Sequence, residues 1–134
     1  MGCNSSVGVN PRIKVVLGFW NFRGGPRGNG TRYLLNYCGV RYSERKYAMN
    51  ENGEAAWATF RDSGEIPFAN LPYLIDGAYQ ISETLAVQQY IAAKWRPVIL
   101  GSTPADRAKI YQMHQLIIST FQEKVIKPAI DSSD

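Results

Sequence analysis

One stretch, from Asn70 through Leu71, Pro72 and Tyr73 to Thr84, limits this chain to few folds, because a proline turn, a hairpin and a helix start follow one another with no spare residues. Tyr73-Leu74-Ile75 and Tyr79-Gln80-Ile81 are β-prone runs joined across Asp76-Gly77, a dipeptide suited to the positive φ of a tight hairpin. Ser82 is expected to cap the helix that follows, its hydroxyl accepting a first-turn N–H, with Glu83 just inside complementing the positive end of the dipole. Leu85, Ala86, Val87, Tyr90, Ile91 and Trp95 then recur at helical spacing, leaving Gln88, Gln89 and Lys94 for water. Pro72 lacks an N–H and so belongs at a strand's first residue or at an edge. On composition alone its peptide bond is trans, since cis bonds are a minority of X-Pro bonds.

A chain of 134 residues, 45% hydrophobic, supports one packed core and is short for two domains of ordinary size. Fifteen basic against 11 acidic residues, a formal charge of +4, is a mild excess that gives anionic partners only weak support. Cys3 and Cys38 form neither metal-ligand spacing nor a disulfide framework, so no metal is expected and a reducing compartment is the default. No apolar run approaches membrane-spanning length and no secretory core stands near the start, so a soluble cytoplasmic protein is expected. Met1-Gly2-Cys3-Asn4-Ser5-Ser6 fits the myristoylation pattern, and Cys3 could add a palmitoyl chain. Membrane attachment depends wholly on Gly2 and Cys3; the other reading of residues 1–12 is a flexible, unmodified tail.

Ile13 to Phe19 reads as a buried first strand, and Trp20 to Arg23 leaves the sheet. Gly24 to Thr31 is glycine-rich and carries Arg27, yet it lacks the Gly-Lys-Ser/Thr ending by which a phosphate loop reaches its nucleotide. A single Arg23-Gly24-Gly25 inside a connection does not make a nucleic-acid site, and none is expected. Thr31 is expected to cap a helix that Gly39 stops, followed by a polar edge strand from Arg41 to Tyr47 and a short helix from Glu54 to Phe60. With the hairpin and its helix the order is β-α-β-α-β-β-α, an α/β layer over residues 13–95. Residues 96–103 form a linker, and Thr103-Pro104 opens a long helix. Ile110, His114, Ile117, Phe121 and Val125 make an apolar stripe on it until Pro128 ends it. His114, the only histidine, is read as packed rather than catalytic. The stripe needs a partner: the sheet domain, another chain, or further helices lost by truncation.

Leu17-Gly18-Phe19-Trp20-Asn21-Phe22-Arg23-Gly24 and Asn70-Leu71-Pro72-Tyr73-Leu74-Ile75-Asp76-Gly77, together with Trp57, Arg61 and the Glu83-Thr84 pair, resemble the glutathione transferases, most closely the mu class. The resemblance runs from about Lys14 to Lys127. It implies a thioredoxin-like domain over residues 13–95, with residues 104–134 beginning an all-helical domain that is truncated. It implies further that Pro72 is cis, against the compositional expectation, and that the backbone of Leu71 pairs with the cysteinyl segment of glutathione. Thr84 would meet the γ-glutamyl carboxylate and Glu83 its ammonium, while Trp57 and Arg61 would take the glycyl carboxylate; Trp20 and Asn70 complete the implied site. Arg61 stands where mu enzymes usually carry lysine, which keeps the charge and adds a bidentate fork.

The departure that matters most is Phe19, which occupies the position of the tyrosine whose hydroxyl stabilises the glutathione thiolate in that class. The expected function is therefore a mu-like transferase joining glutathione to hydrophobic electrophiles with weakened catalysis. The alternative is a non-catalytic glutathione-binding or dimerisation module. Glutathione is a co-substrate here and no cofactor is implied; a homodimer is expected if the full helical domain is present.

Overall fold

The computed structural model describes residues 14–22 and 25–132, which form two compact units. The tail and the lipidation reading at Gly2 and Cys3 lie outside the described residues. The first unit holds residues 14–22 and 41–83, and its centre is a four-stranded sheet in the order β2-β1-β3-β4. Strand β1 (Val15–Trp20) runs parallel to β2 (Ser43–Tyr47) and antiparallel to β3 (Tyr73–Asp76), which forms a hairpin with β4 (Tyr79–Ser82). The continuous apolar run at Val15 to Leu17 suits a strand covered on both faces, and those residues are buried. Strand β2 takes the edge with its charged side chains, as expected.

Helix α1 (Gly30–Tyr37) belongs to the second unit, and α2 (Glu51–Asp62) to the first. Asn50 starts α2 by accepting the Gly53 N–H at 2.9 Å, so the helix begins three residues before the expected Glu54. The hairpin turn is shifted by one residue. Asp76 stays in β3, paired with Tyr79, and Gly77 alone supplies the positive φ, at 61°.

The second unit is helical. It contains α1, α3 (Thr84–Trp95), α4 (Pro104–Leu116), a widened helical stretch at Ile117–Ile126 and α5 (Lys127–Asp131). Gly39, at φ 70°, stops the first helix as expected. Thr103 caps α4 by accepting the Asp106 N–H at 3.1 Å, with Pro104 in the first turn.

Five expectations are corrected. Gly25–Asn29 is a wide helical turn running into α1 rather than an open loop, so Thr31 lies inside the helix and donates its hydroxyl to the Arg27 carbonyl at 2.6 Å. Trp20 remains in β1. Ser82 ends β4 and donates to the Phe68 carbonyl at 2.7 Å instead of capping, and Glu83 sits before α3 at φ 75° rather than inside it. Gln88 is not left for water: only 6% exposed, it donates to Thr31 at 3.0 Å and to the Pro26 carbonyl at 3.1 Å, and its other amide atom meets His114. Finally, Pro128 does not end the helix, which continues to Asp131, because a proline near the start of a helical segment loses no needed donor. The stripe Ile110, Ile117, Phe121 and Val125 is exposed, and the buried residue of this stretch is Ile118. His114 is half-buried, and burial pushes its imidazole below the usual histidine range.

Candidate functional site

In the first unit, one hydrogen bond within the turn before β3 and a second from that turn to the residue after β4 form a short chain. The Leu71–Pro72 bond is cis, with Leu71 and Pro72 both buried. Leu71 donates its N–H to Asn70 Oδ1 at 2.9 Å, and Asn70 Nδ2 donates to Glu83 Oε1 at 2.7 Å. Asn70 and Glu83 are exposed, so this pair presents a carboxylate and an amide to solvent over a buried backbone step. Phe68, at φ 53° and 94% exposed, lies at the start of the same turn. Both Phe68 and Glu83 are non-glycine residues with positive φ, a conformation that persists only where the surroundings over-determine it. Thr84 follows Glu83 in the chain as the buried first residue of α3.

Beneath this turn lies an aromatic cluster built on Phe19, Tyr47, Ile66, Leu71 and Tyr73, with Trp20, Trp57 and Phe60 packed against it. The Tyr73 ring is stacked against Trp57 (6.1 Å between centroids, 17° between planes) and Phe60 (4.8 Å, 24°), while Tyr47 meets Trp57 edge-on at 5.4 Å. Each such pair contributes about 0.5–1.5 kcal/mol beyond its buried area. Trp57, the residue expected to meet a carboxylate, is thus fixed from two sides by rings. Arg45 lies 4.6 Å over the Phe60 ring, and the two tyrosine hydroxyls bond each other at 2.9 Å.

Burial raises the Tyr47 and Tyr73 hydroxyls above the usual phenol range, and for Tyr73 the bond to Tyr47 adds in the same direction. A phenol raised in the folded chain contributes stability that is intact below its unfolded pKa of about 10 and is lost as pH climbs past that value. Urea denaturation should therefore show stability falling between about pH 10 and 12, and a Tyr47→Phe, Tyr73→Phe double variant should fall less steeply. Equal slopes in the two proteins would mean that this pair does not carry the alkaline loss.

Phe19 is 8% exposed and sits in this cluster with Leu71, next to half-buried Trp20. Arg61 stands apart on the exposed end of α2, where it donates to Asp62 at 2.8 and 3.3 Å, a pairing that raises its guanidinium pKa. An incoming carboxylate would share that fork with Asp62. The structure thus brings Phe19, Trp20, Trp57, Leu71 and Pro72 into one region and ties Asn70 to Glu83, whereas Arg61 is engaged locally. Among the described residues no group of acidic, histidine or cysteine side chains is placed to hold a metal ion, and no helix is long and apolar enough to cross a membrane.

Sequence reasoning missed the Tyr47–Tyr73 hydroxyl pair, the Arg45 guanidinium over Phe60 and the Asn70 bridge. Arg45 and Tyr47, two apart in a strand, were a signal, since alternate residues share one face of a sheet. The bridge left no pattern in the sequence, because it depends on Asn70 and Glu83 meeting across the hairpin.

A family model described as "Glutathione S-transferase, N-terminal domain" matches residues 15–93. Glutathione S-transferase Mu 2 of Macaca fuscata fuscata is 39% identical over 100 residues, 72% of this chain and 44% of that protein. A glutathione S-transferase of Tyrophagus putrescentiae is 33% identical over 106 residues, 78% of this chain and 47% of that protein. The chain spans about half the length of the curated relatives it matches. Among solved structures, a Caenorhabditis elegans glutathione S-transferase superposes with a TM-score of 0.69 at 26% identity, covering 90% of this chain and 55% of that one. A theta class enzyme from Xanthomonas axonopodis pv. citri, solved with glutathione bound, shares the fold at a TM-score of 0.65 and 24% identity, covering 82% of this chain and 51% of that one.

Proposed function

The chain belongs to the glutathione S-transferase family, and from that premise we propose that it binds glutathione along the Leu71–Pro72 edge and joins its thiol, slowly, to hydrophobic electrophiles in the manner of a mu-like enzyme. The observation that carries this reading is the Leu71–Pro72 turn, buried beside Phe19 and flanked by the exposed Glu83 carboxylate that Asn70 meets at 2.7 Å. An extended cysteinyl segment can pair there with the Leu71 backbone as an added strand. Glu83 meets the γ-glutamyl ammonium, and Thr84, at the first turn of α3, offers an N–H and a hydroxyl to the neighbouring carboxylate. The Trp57 indole N–H and Arg61 take the glycyl carboxylate, Arg61 after sharing its fork with Asp62.

Catalysis is the weak part. An ordinary thiol of pKa about 8.5 is only about 3% ionised at neutral pH, and Phe19 has no hydroxyl with which to stabilise the thiolate. That absence favours a second reading, a glutathione-holding or dimerisation module without turnover. Calorimetric titration with glutathione, followed by ultraviolet titration of the bound thiol, separates the two. Binding with a thiolate midpoint near that of free glutathione is expected, with aryl-halide conjugation at roughly one hundredth of the rate of a tyrosine-bearing enzyme. No binding removes the transferase and the glutathione-holding module and leaves only dimerisation; a midpoint well below that of free glutathione means that another donor has replaced the tyrosine. A cytosolic homodimer belongs to the same proposal and is tested by light scattering and cell fractionation, and labelling with a myristate analogue tests the lipid reading at Gly2.

A further inference from the structure

The geometry points to a self-occupying clasp at the glutathione edge: the Asn70 carboxamide fills the hydrogen-bonding position that a cysteinyl backbone would use on Leu71, and Glu83 holds it there until the ligand's own ammonium engages Glu83. This inference rests on the glutathione reading given above.

Leu71 has one amide hydrogen, and Asn70 Oδ1 accepts it at 2.9 Å. A ligand carbonyl aligned as an added strand needs that same hydrogen, and one N–H does not serve two acceptors at good geometry. Asn70 Oδ1 must therefore leave before the ligand pairs. What keeps it in place is at its other end, where Nδ2 donates to the Glu83 carboxylate at 2.7 Å, a charge-assisted bond of the stronger kind. The carboxamide is planar, so anchoring Nδ2 also fixes Oδ1, and the two bonds support each other. Glu83 holds its unusual φ of 75° while making this contact.

The clasp gives the site a logic of recognition. A ligand with an ammonium group beside its cysteinyl segment pairs with the Glu83 carboxylate, which then shares its charge between two donors, so the charge-assisted bond to Asn70 weakens and the hold on Leu71 loosens. A peptide without the ammonium meets the clasp intact. The chain thus selects γ-glutamyl peptides partly by refusing its backbone donor to others, a device of negative discrimination.

The test uses glutathione and its deamino analogue, in which hydrogen replaces the α-ammonium, titrated into the full chain and into Asn70→Ala. Asn70 is exposed, so the variant should fold. Deaminoglutathione is expected to bind Asn70→Ala about three- to tenfold more tightly than the parent chain, because no clasp has to open. Equal or weaker binding by the variant overturns the clasp and, if the parent chain still binds glutathione, leaves the glutathione reading standing. Should the parent chain bind neither peptide, the glutathione reading itself fails. Hydrogen exchange at the Leu71 amide decides the clasp without any ligand. Exchange should accelerate in Asn70→Ala and in Glu83→Ala but not in Glu83→Gln, which retains an acceptor for Asn70; unchanged exchange in both alanine variants overturns it.

Discussion

Replacing Phe19 with tyrosine should raise conjugation by about a hundredfold and lower the thiol pKa of bound glutathione by about two units, which corresponds to about 2.7 kcal/mol. The new hydroxyl would be placed at the end of a ring that is now buried with Leu71 and Tyr73. Buried without an acceptor, that hydroxyl costs about 1–3 kcal/mol, so the variant should melt at a lower temperature than the parent when no glutathione is added. With glutathione present, the sulfur accepts the bond and the loss should shrink. Turnover with a generic aryl halide, thiolate absorbance against pH, and thermal melting with and without glutathione are the three measurements. If Phe19→Tyr binds glutathione and gains neither activity nor a shifted midpoint, then position 19 does not face the sulfur and the proposed site is misassigned.

Gly18→Ala should be among the most damaging single substitutions in the chain, by about 3 kcal/mol or more. Gly18 pairs with Tyr73 across the β1–β3 ladder, and a Cβ at Gly18 would lie 2.0 Å from the far end of the Tyr73 ring. The ring cannot give way, since it is stacked against Trp57 and Phe60 and its hydroxyl is tied to Tyr47. Urea denaturation is the readout, and the Gly18→Ala, Tyr73→Val double variant gives the stronger test. Removing the ring takes away the clash, so the two losses should be far from additive. Additive losses would show that the ring is not what requires glycine at position 18. A fall in glutathione affinity in Gly18→Ala protein that still folds would follow from the same cause, because displacing Tyr73 moves Trp57.

Local chemistry made much of the fold legible. Pro72, the β-prone runs on either side of Gly77, the glycine stop at Gly39 and the Thr103-Pro104 cap all act within a few residues of themselves, so their effects survive without knowledge of distant partners. The expectations that failed were those that depended on a partner elsewhere in the chain. Ser82 had the right chemistry for a helix cap, but the Phe68 carbonyl claimed its hydroxyl. Gln88 looked like a surface residue by type, yet Thr31, Pro26 and His114 satisfy its amide in a buried position.

The candidate site divides in the same way. The motifs around Phe19, Trp57, Pro72 and Glu83 supplied its proposed residues through their resemblance to the family. Whether those residues are free to act could not be read from them, because Asn70 closing on Leu71 and Asp62 holding Arg61 are competing hydrogen bonds, and competition is settled by distance rather than by residue type. By itself the sequence determined the order of strands and helices, a property of local composition and spacing, and its motifs carried the resemblance to the family to which the chain belongs. Only the tertiary structure decided that Tyr73 requires glycine beneath it, that Trp57 is fixed between rings, and that the Leu71 N–H is already taken by the chain's own asparagine. The physical reason is that burial and hydrogen-bond partnership arise between residues far apart in sequence, and they become definite when the hairpin and the aromatic cluster close.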